Sequence, residues 1–363
     1  MTAVLAPLDG SSDITRGRLS ALVNAAIALG ALAVGAGITL AAGEFKWGWA
    51  LILAALLYVV GIYVTSRIVE DARQAKDRVA TAIMTTAFVL VLVPLISVAW
   101  TVLREGVHRF DATFFGETGE LTLDQIAASR AGAKVGGAQH AIVGTLMVTG
   151  LATVLAVPFG MFTAVYLVEY GRGRLARAIT AMVDVMTGIP SIVAGLFAYA
   201  LFVIFFGPGT RTGLAAAVAL TVLMTPVVVR STEEMLRLVP NELREASYAL
   251  GVPKWKTIVK VVIPTAVAGI LTGVTLAIAR VIGETAPLLV TAGLADGLNL
   301  NPFSGRMTTL PVYTYRSYKF PSQPTEAFID RAWAAALTLV VVVAVLFTLA
   351  RVLASVLKPK GLK

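Results

Sequence analysis

The sequence predicts an all-α polytopic membrane protein with about eight transmembrane helices. Of its 363 residues, 57% are hydrophobic and 14% are charged, whereas soluble domains average about 25% charged residues. Largely apolar runs of about 18 residues or more recur along the chain, and this is the length that an α-helix needs to cross a bilayer. The short alternating segments of a membrane β-barrel are missing from the sequence.

The apolar runs place eight candidate helices along the chain, at 20–42, 47–65, 79–103, 139–168, 182–206, 212–230, 265–291 and 332–356. The first run is longer than the apolar core of a signal peptide, which is about 7–15 residues, so we expect it to be a retained span. All eight runs mix Gly, Ala, Leu and Val, a composition that suits helices packed on helices in lipid.

The first two candidate helices are expected to form an appended hairpin, because only a few residues join them. The charged loop 66–78 then connects this hairpin to the rest of the chain. We therefore divide the sequence into an N-terminal region, 1–78, whose role the sequence leaves open, and a six-helix domain, 79–363.

The distribution of Lys and Arg predicts which parts of the chain face the cytoplasm. Almost two thirds of the 30 Lys and Arg residues lie at the two termini, in loops 66–78 and 170–181, and in segment 230–260. The positive-inside rule places these parts, and both termini, on the cytoplasmic side of a bacterial plasma membrane. The longest loops on the opposite side, 104–138 and 292–331, are expected to bind a partner or to act only as lids.

Composition excludes or disfavours several functional classes. The sequence has no cysteine, which excludes disulfides, cysteine-held iron–sulfur clusters and cysteine nucleophiles. Its two histidines, His108 and His140, are far apart and lack a nearby carboxylate pattern, so we expect no metal site. No basic patch carries interleaved aromatic residues, so we attribute the net charge of +9 to membrane topology and expect lipid, not nucleic acid, as a partner.

The stretch 244–264, REASYALGVPKWKTIVKVVIP, carries unusual polarity between two apolar runs. Its pattern predicts a short amphipathic helix around 241–250, stopped by Gly251, and a second short helix at 254–262. Pro264 would then occupy the first turn of the next span. Three residues share the apolar face of the first helix: Leu243, Ala246 and Leu250. Such an element is either a rigid knob that another protein binds or an amphipathic helix that lies on the bilayer surface.

The same stretch resembles the EAA loop of binding-protein-dependent ABC importer permeases. That consensus reads EAA, three residues, G, nine residues and I-x-L-P. The spacing agrees throughout with Glu245, Ala246, Ser247, Gly251, Val261, Ile263 and Pro264, of which Ser247, Val261 and Ile263 depart conservatively from the consensus. We call residues 232–264 the EAA loop. The resemblance implies a type I ABC importer permease-like helix bundle whose EAA loop couples to a cytoplasmic ATPase through Glu245, Ala246, Ser247 and Gly251.

Longer strings resemble, more narrowly, the phosphate permeases of the PstA type. They are GGAQHAIVGTLMV, GIPSIVAGLFAY, TPVVVRSTEEMLRLVPNELREASYALG, ARVIGETAPLLVTAG and MTTLPVYTY. The likeness covers about 136–320 closely and the last span loosely, and it does not extend to the first two spans. It implies the import of inorganic phosphate along a path that this chain forms with a second permease of the PstC type.

The resemblance also implies that ATP hydrolysis belongs to another chain. The sequence has no G-x-x-x-x-G-K-[ST] loop that could cradle phosphates, so we expect no cofactor here and expect ATP and Mg²⁺ in the partner ATPase. The implied partners are a homodimeric cytoplasmic ATPase of the PstB type and an external phosphate-binding protein of the PstS type. Two ATPase subunits need two EAA loops and this chain has one, so its permease partner is either the PstC-type sister or a second copy.

Arg280 and Glu284 interrupt the apolar run 265–291, with Arg280 near its middle. A charge at the centre of a span costs about 2.5–3.5 kcal/mol on insertion scales, so Arg280 is not expected to face lipid. The i, i+4 spacing places both side chains on one helix face, where they can pair. Either Arg280 binds an anionic substrate through its planar fork while Glu284 orients it, or the two form a structural ion pair. The resemblance favours the substrate, because the transport-essential Arg of the family occupies this place in ARxxGET.

Three other features leave alternatives open. Pro190 and Ser191 interrupt the fifth candidate span, either as the start of a half-helix whose free N–H groups bind an anion or as a plain proline kink. Gly269 and Gly273 suit close helix packing, at a permease–permease interface or inside one subunit. Asp184 lies inside the membrane by the predicted boundaries, or at its cytoplasmic edge.

Three alternative functions are weighed against phosphate import. A sulfate or molybdate ABC importer would use the same features, since an Arg binds each of these oxyanions. An ion-coupled secondary transporter is disfavoured by the EAA loop and by the lack of a detectable inverted repeat. A membrane scaffold without transport activity is disfavoured by Arg280 and Glu284.

Overall fold

The computed structural model describes residues 19–43, 46–70 and 72–357, and every regular element in these ranges is helical. The chain forms two compact units, 1–100 and 101–363. Within the described ranges, seven helices are long and apolar enough to cross a membrane, or eight if one sharply bent pair counts as a single span. This agrees with the predicted all-α architecture of about eight spans.

In the first unit, α1 (Ala21–Ala41) and α2 (Trp47–Val69) form an antiparallel pair. A Cβ on Gly35 would lie 2.8 Å from the carbonyl oxygen of Ala50, and one on Gly61 would lie 2.9 Å from a side chain of α1. The helices therefore approach each other closely at glycines on both sides of the contact. Small residues permit such packing where lipid removes the hydrophobic driving force between helices.

The charged segment 66–78 is largely helical, although the sequence predicts a loop there. α2 continues to Val69, and α3 (Ala72–Gly106) begins well before the predicted start of the third span at residue 79. The prediction counted only the apolar run, whereas the Arg, Gln and Lys side chains that precede it are good helix formers in their own right. The helix therefore extends beyond its apolar part.

The corner between α2 and α3 is held by the carboxylate of Glu70, whose side chain is 1% exposed. It accepts hydrogen bonds from Ser66 Oγ at 2.5 Å, from Arg78 Nε at 2.6 Å and from the Leu19 amide at 2.7 Å. Burial raises the pKa of Glu70, but these hydrogen bonds and the charge of Arg78 outweigh it and bring the pKa down to about 2. The corner is therefore a charged hydrogen-bond network.

As far as Leu357, the second unit contains the end of α3, a short 3-10 helix at Val107–Arg109 and twelve α-helices. They are α4 (Ala112–Gly116), α5 (Leu123–Arg130), α6 (Gln139–Val165, continued by a π-helical turn at Tyr166–Tyr170), α7 (Gly173–Thr187), α8 (Ser191–Phe206), α9 (Gly213–Arg237), α10 (Asn241–Ala249), α11 (Lys254–Thr257), α12 (Ile263–Ile282), α13 (Ala286–Thr291), α14 (Leu310–Lys319) and α15 (Thr325–Leu357). The short helices α4, α5 and α14 lie in the stretches 104–138 and 292–331, which the sequence predicts as long loops.

The core of the second unit lies between α6, α9 and α12, whose shared faces carry small residues. Ala156 of α6, Met224 of α9 and Ala277 of α12 are fully buried in one cluster. A Cβ on Gly160 would lie 2.7 Å from the side chain of Val228. The backbones of α6 and α9 are therefore as close as side chains allow, which gives the functional segments a rigid frame.

Two predicted spans are broken in the structure. The predicted helix 182–206 contains the end of α7, which begins earlier at Gly173, and the whole of α8, and the two helices meet at an angle of 109°. The predicted helix 265–291 ends at α12 and resumes as α13 after three residues. Pro190 precedes α8 and Pro287 lies in the first turn of α13, and neither can donate to the carbonyl four residues before it. Proline therefore separates each pair of helices.

The segment between α13 and α14 folds against the starts of α6 and α9. The Leu214 amide donates to the Pro302 carbonyl at 2.7 Å, and the Leu310 amide donates to Thr145 Oγ1 at 2.7 Å. This segment therefore covers one end of the second unit. The EAA loop begins in the last turns of α9 and so lies at the opposite end.

Candidate coupling and translocation sites

The EAA loop begins inside α9, and its first short helix is α10 (Asn241–Ala249), which confirms the predicted helix around 241–250. Gly251 follows with a φ of +74°, a left-handed conformation that residues with a side chain rarely adopt. A Cβ on Gly251 would meet no atom within 4 Å. The preference for glycine therefore comes from the backbone conformation and not from crowding.

The second predicted helix, 254–262, is not separate from the span that follows. α11, a π-helical turn at Ile258–Val262 and α12 form one helix from Lys254 to Ile282, 29 residues long. Pro264 is the second residue after the π-helical turn, where the wider backbone accommodates a residue without an amide hydrogen. The EAA loop is therefore continuous with the helix that carries Arg280.

Arg244 anchors the EAA loop to the ends of α6 and α9. Its guanidinium pairs with Glu169 at 2.9 Å, and the two side chains are 12% and 6% exposed. It also donates to the carbonyl of Val239 at 2.6 Å and to that of Leu236 at 2.9 Å. The Leu236 carbonyl lies in the last turn of α9, where carbonyls have no amide partner within the helix. One side chain thus fixes α10 against two spans.

The buried face of α10 is polar, unlike the predicted apolar face. Ser247 is buried, and its hydroxyl lies 2.8 Å from that of Thr257. Of the predicted apolar face, Leu243 is half-buried, whereas Ala246 and Leu250 are exposed. The prediction weighed only apolar spacing, but hydrogen bonds and an ion pair decide which face of this helix packs.

The EAA loop presents an exposed surface that combines apolar and acidic side chains. Glu245 and Ala246 are exposed, so these two predicted contact residues are accessible, and Gly251 is exposed beside them. Four large apolar side chains are also exposed: Leu238, Tyr248, Leu250 and Trp255. We call these seven residues the EAA surface. Ser247 is the predicted contact residue that instead packs inside the chain.

Gly269 and Gly273 pack α12 against α9 within the same chain, which is one of the two predicted alternatives. Gly269 lies against Met235, and a Cβ on Gly273 would lie 2.5 Å from Ser231. These contacts also set the height of Arg280, which is two helical turns beyond Gly273. In the antiparallel pair, Arg280 therefore lies about level with residue 224, near the centre of α9.

The side chain of Arg280 is exposed, on one stripe with Thr272 and Leu276, which are also exposed at four-residue intervals. Glu284 is half-buried and lies beyond Ile282, in the link between α12 and α13. No ion pair joins Arg280 to Glu284 in the part of the chain that the structure describes. The expected pairing on one helix face is absent because the helix ends between the two residues.

The two helix breaks lie in elements that pack on each other. A Cβ on Gly195, in the first turns of α8, would lie 2.6 Å from Cα of Pro287 in α13. At the start of α8, the amides of Val193 and Ala194 donate to the carbonyl of Pro190 at 2.9 Å and 3.3 Å. The structure thus brings the Pro190–Ser191 break and the link that contains Glu284 into adjoining parts of the bundle.

A model of the family described as "binding-protein-dependent transport system inner membrane component" matches residues 156–361. The chain belongs to this permease family. The matched region contains the EAA loop, Arg280 and Glu284, and it excludes the first unit. The permease is therefore a multi-pass membrane component of a transport system.

Individual proteins are similar to this permease over most of its length. The phosphate transport system permease protein PstA 1 of Mycobacterium tuberculosis is 50% identical over 275 residues, which are 75% of this chain and 86% of that protein. PstA of Yersinia pestis is 36% identical over 282 residues, which are 77% of this chain and 90% of that protein. A solved inward-facing MetNI methionine ABC transporter covers 61% of this chain and 94% of its own, at 21% identity and a TM-score of 0.47.

Sequence reasoning about this permease missed the charged contacts at the end that carries the EAA loop. Asp184 of α7 pairs with Arg230 of α9, which also binds Glu233 at 2.8 Å, and Glu233 binds Arg237 at 2.5 Å. Asp184 therefore lies toward the EAA-loop end of the bundle. The i, i+3 and i+4 spacing of Arg230, Glu233 and Arg237 on α9 could have indicated their pairing from the sequence. Asp184, the partner of Arg230, and Glu169, the partner of Arg244, are too distant along the chain for such a pattern to show.

Proposed function

We propose that this permease imports inorganic phosphate as one subunit of an ATP-driven transporter. The relatives in Mycobacterium tuberculosis and Yersinia pestis are named as phosphate transport permeases, and they support the choice of substrate. Arg280 would bind the anion, because a planar guanidinium donates two parallel hydrogen bonds to phosphate oxygens. Glu284, in the adjoining link, would orient the substrate or Arg280.

The position of Arg280 carries this proposal. The residue lies about level with the middle of α9, and its own chain leaves the side chain exposed. In lipid such a charge would cost about 2.5–3.5 kcal/mol, so a partner or a water-filled path must face it. A cation at mid-height beside a helix break is the arrangement by which discontinuous helices bind substrates.

A second permease chain would close the path. The exposed stripe of Thr272, Leu276 and Arg280 would face that chain, which we propose to be a PstC-type sister, with a second copy of this chain as the alternative. The start of α8 would lie near the same path, and the backbone N–H group of Ser191 would donate to the anion.

The EAA surface would bind a cytoplasmic ATPase of the PstB type, a homodimer that binds ATP and Mg²⁺. Its exposed Leu250 and Trp255 suit burial in a groove of another protein. The helix Lys254–Ile282 is about 43 Å long at roughly 1.5 Å per residue, so a displacement at the ATPase reaches Arg280 through one rigid element. Closure of the ATPase would then alternate the access of the two sides to Arg280.

The orientation follows from this arrangement. The EAA loop and both termini would lie in the cytoplasm of a bacterial cell, and 104–138 and 292–331 would face outward. An external phosphate-binding protein of the PstS type would dock on these outer segments. The positive-inside rule supports the same orientation.

Uptake by the complete transporter in proteoliposomes tests the proposal. Radiolabelled phosphate should enter only with ATP, and an excess of sulfate or molybdate should not compete. Arg280→Ala should abolish uptake in a complex of normal yield, Arg280→Lys should impair it, and Glu284→Gln should be milder. Arg351→Ala, an exposed Arg near the end of α15, is the matched control. Normal uptake by Arg280→Ala would refute the role of this residue, and competition by sulfate would point to a broader oxyanion importer.

A further inference from the structure

The second unit buries a guanidinium that has no counter-ion. Arg331 of α15 is 2% exposed, and no carboxylate lies within ion-pairing distance of it among residues 19–43, 46–70 and 72–357. Its Nε donates to the carbonyl of Ala327 at 3.2 Å, and its guanidinium lies 4.1 Å from the centre of the Phe328 ring. Tyr313 also hydrogen-bonds to this guanidinium. A buried charge without a paired opposite charge is costly, so the guanidinium lacks the counter-ion that its environment calls for.

A small polar cavity of about 110 Å³ lies beside this guanidinium. Six of its lining residues are charged or hydroxylated: Arg331, Arg316, Asp296, Tyr313, Ser317 and Ser322. Four lining residues are shared with a larger cleft of about 710 Å³, which makes the small cavity the inner end of that cleft. The space accommodates several waters or one tetrahedral oxyanion.

A buried histidine next to this cavity has one ring nitrogen without a hydrogen-bond partner. Nδ1 of His140 accepts the amide hydrogen of Gly119 at 3.1 Å, so Nε2 carries the proton. That Nε2 is buried and has no hydrogen-bond partner in the described residues. Gly119 lines both the cavity and the cleft. An unused donor therefore lies beside the space that the unpaired guanidinium lines.

The charges around the cavity fit a protonated oxyanion. Arg316 pairs with Asp296 at 2.7 Å, so two cations and one carboxylate line the inner cavity. Arginine and hydroxyl donors suit oxyanion oxygens, whereas a carboxylate can only accept a hydrogen bond. Inorganic phosphate keeps a proton at neutral pH and can donate to Asp296. Sulfate has no proton to donate at neutral pH, so the carboxylate of Asp296 would repel it. Glu120 in the outer cleft would repel sulfate in the same way.

We propose that this cavity is a second oxyanion site, at the end of the bundle opposite the EAA loop, which selects inorganic phosphate over sulfate before the anion reaches Arg280. The site lies where α14 and α15 meet the start of α6, since His140 and Tyr313 stack edge to face with ring centres 5.4 Å apart. The proposal rests on the proposed function for the identity of the anion and for its passage to Arg280. The site itself consists of Arg331, Arg316 and Asp296.

Equilibrium binding of radiolabelled phosphate to the membrane-embedded transporter in nanodiscs, without ATP and without the external binding protein, tests this site. All variants carry Arg280→Ala, so that the path site does not contribute. The parent should still bind phosphate in preference to sulfate. Adding Arg331→Met should weaken phosphate binding about 10- to 100-fold, the range for a charge-assisted hydrogen bond. Adding Arg351→Met, the same change at an exposed position of the same helix, should have no effect.

The preference for phosphate over sulfate gives an independent readout. Asp296→Asn replaces the acceptor by a group that can also donate, so sulfate should then compete with phosphate. Phosphate binding unaffected by Arg331→Met overturns the site, as does a parent that binds no phosphate. Should Arg331→Met fail to assemble, Asp296→Asn decides: an unchanged preference for phosphate overturns the proposal. Transport by Arg280→Ala would refute the proposed function of that residue and leave these binding results as they stand.

Discussion

Replacing Arg244 by Met should detach the EAA loop from the bundle without unfolding the protein. The change removes an ion pair with Glu169, whose side chain is 6% exposed, and the hydrogen bonds to the carbonyls of Leu236 and Val239. Breaking a buried pair from one side costs about 3–5 kcal/mol, because the remaining charge stays buried alone. Opening of the loop relieves that cost by hydrating Glu169. A bias of about 3 kcal/mol raises the open population about 100-fold.

Two measurements on the complete transporter test this expectation. Amide hydrogen exchange in residues 236–252 should accelerate, and the ratio of phosphate uptake to ATP hydrolysis should fall. Arg174→Met, at an exposed position in the first turn of α7, is the matched control and should change neither. Adding Glu169→Gln to Arg244→Met removes the orphaned charge and should restore part of the coupling. Unchanged exchange together with a normal ratio would refute the anchoring role of Arg244.

Three other perturbations have defined outcomes. Gly251→Val should leave the protein in the membrane but lose ATPase binding or coupled uptake, because the φ of +74° at this position disfavours a β-branched residue. Co-purification of the ATPase and phosphate uptake measure the two effects. Gly251→Asn should have a milder effect, since Asn tolerates the left-handed conformation. The pKa of Glu70, about 2, lies below its ordinary value of 4.5, so its network stabilises fully above about pH 4.5 and loses that effect as pH falls toward 2. The melting temperature of the wild type should therefore fall as the pH is lowered through this range, and that of Glu70→Gln should change less. Identical pH profiles of the melting temperature for the two proteins would contradict this expectation. Gly195→Leu should cost about 1–3 kcal/mol and reduce uptake, since its Cβ would lie 2.6 Å from Pro287. Gly150→Leu, where a Cβ meets no atom within 4 Å, is the control and should retain both stability and uptake. Equal melting temperatures for the Gly195 and Gly150 variants would refute the crowding at Gly195.

The number and approximate position of the spans could be predicted from composition, because a bilayer imposes length and apolarity on every helix that crosses it. Helix ends were less predictable. α3 begins at Ala72 because polar helix formers continue a helix past its apolar part. The apolar pattern passes through Pro287 without interruption, so a count of apolar residues joined α12 and α13, which the missing amide hydrogen separates. At Pro190 the sequence left a half-helix and a plain kink open, and the angle of 109° between α7 and α8 shows a break.

The EAA loop was the most predictable part of the candidate sites. Its short helix and the left-handed Gly251 follow from local backbone preferences, which a sequence states directly. The face on which α10 packs did not follow, because Glu169, the partner of Arg244, is 75 residues away along the chain. A local pattern of Leu243, Ala246 and Leu250 cannot register that ion pair.

The sequence by itself determined the class of protein, the chemistry of the EAA loop and the presence of a charge in an apolar run. Only the tertiary structure decided where that charge lies and what accompanies it. Contacts of Gly273 with α9 place Arg280 near mid-height, and the end of α12 separates it from Glu284. The unpaired guanidinium of Arg331 likewise becomes visible only when chain segments distant in sequence enclose it. Burial and pairing depend on neighbours that folding supplies, whereas helix formation and membrane insertion depend mainly on residues adjacent in the chain.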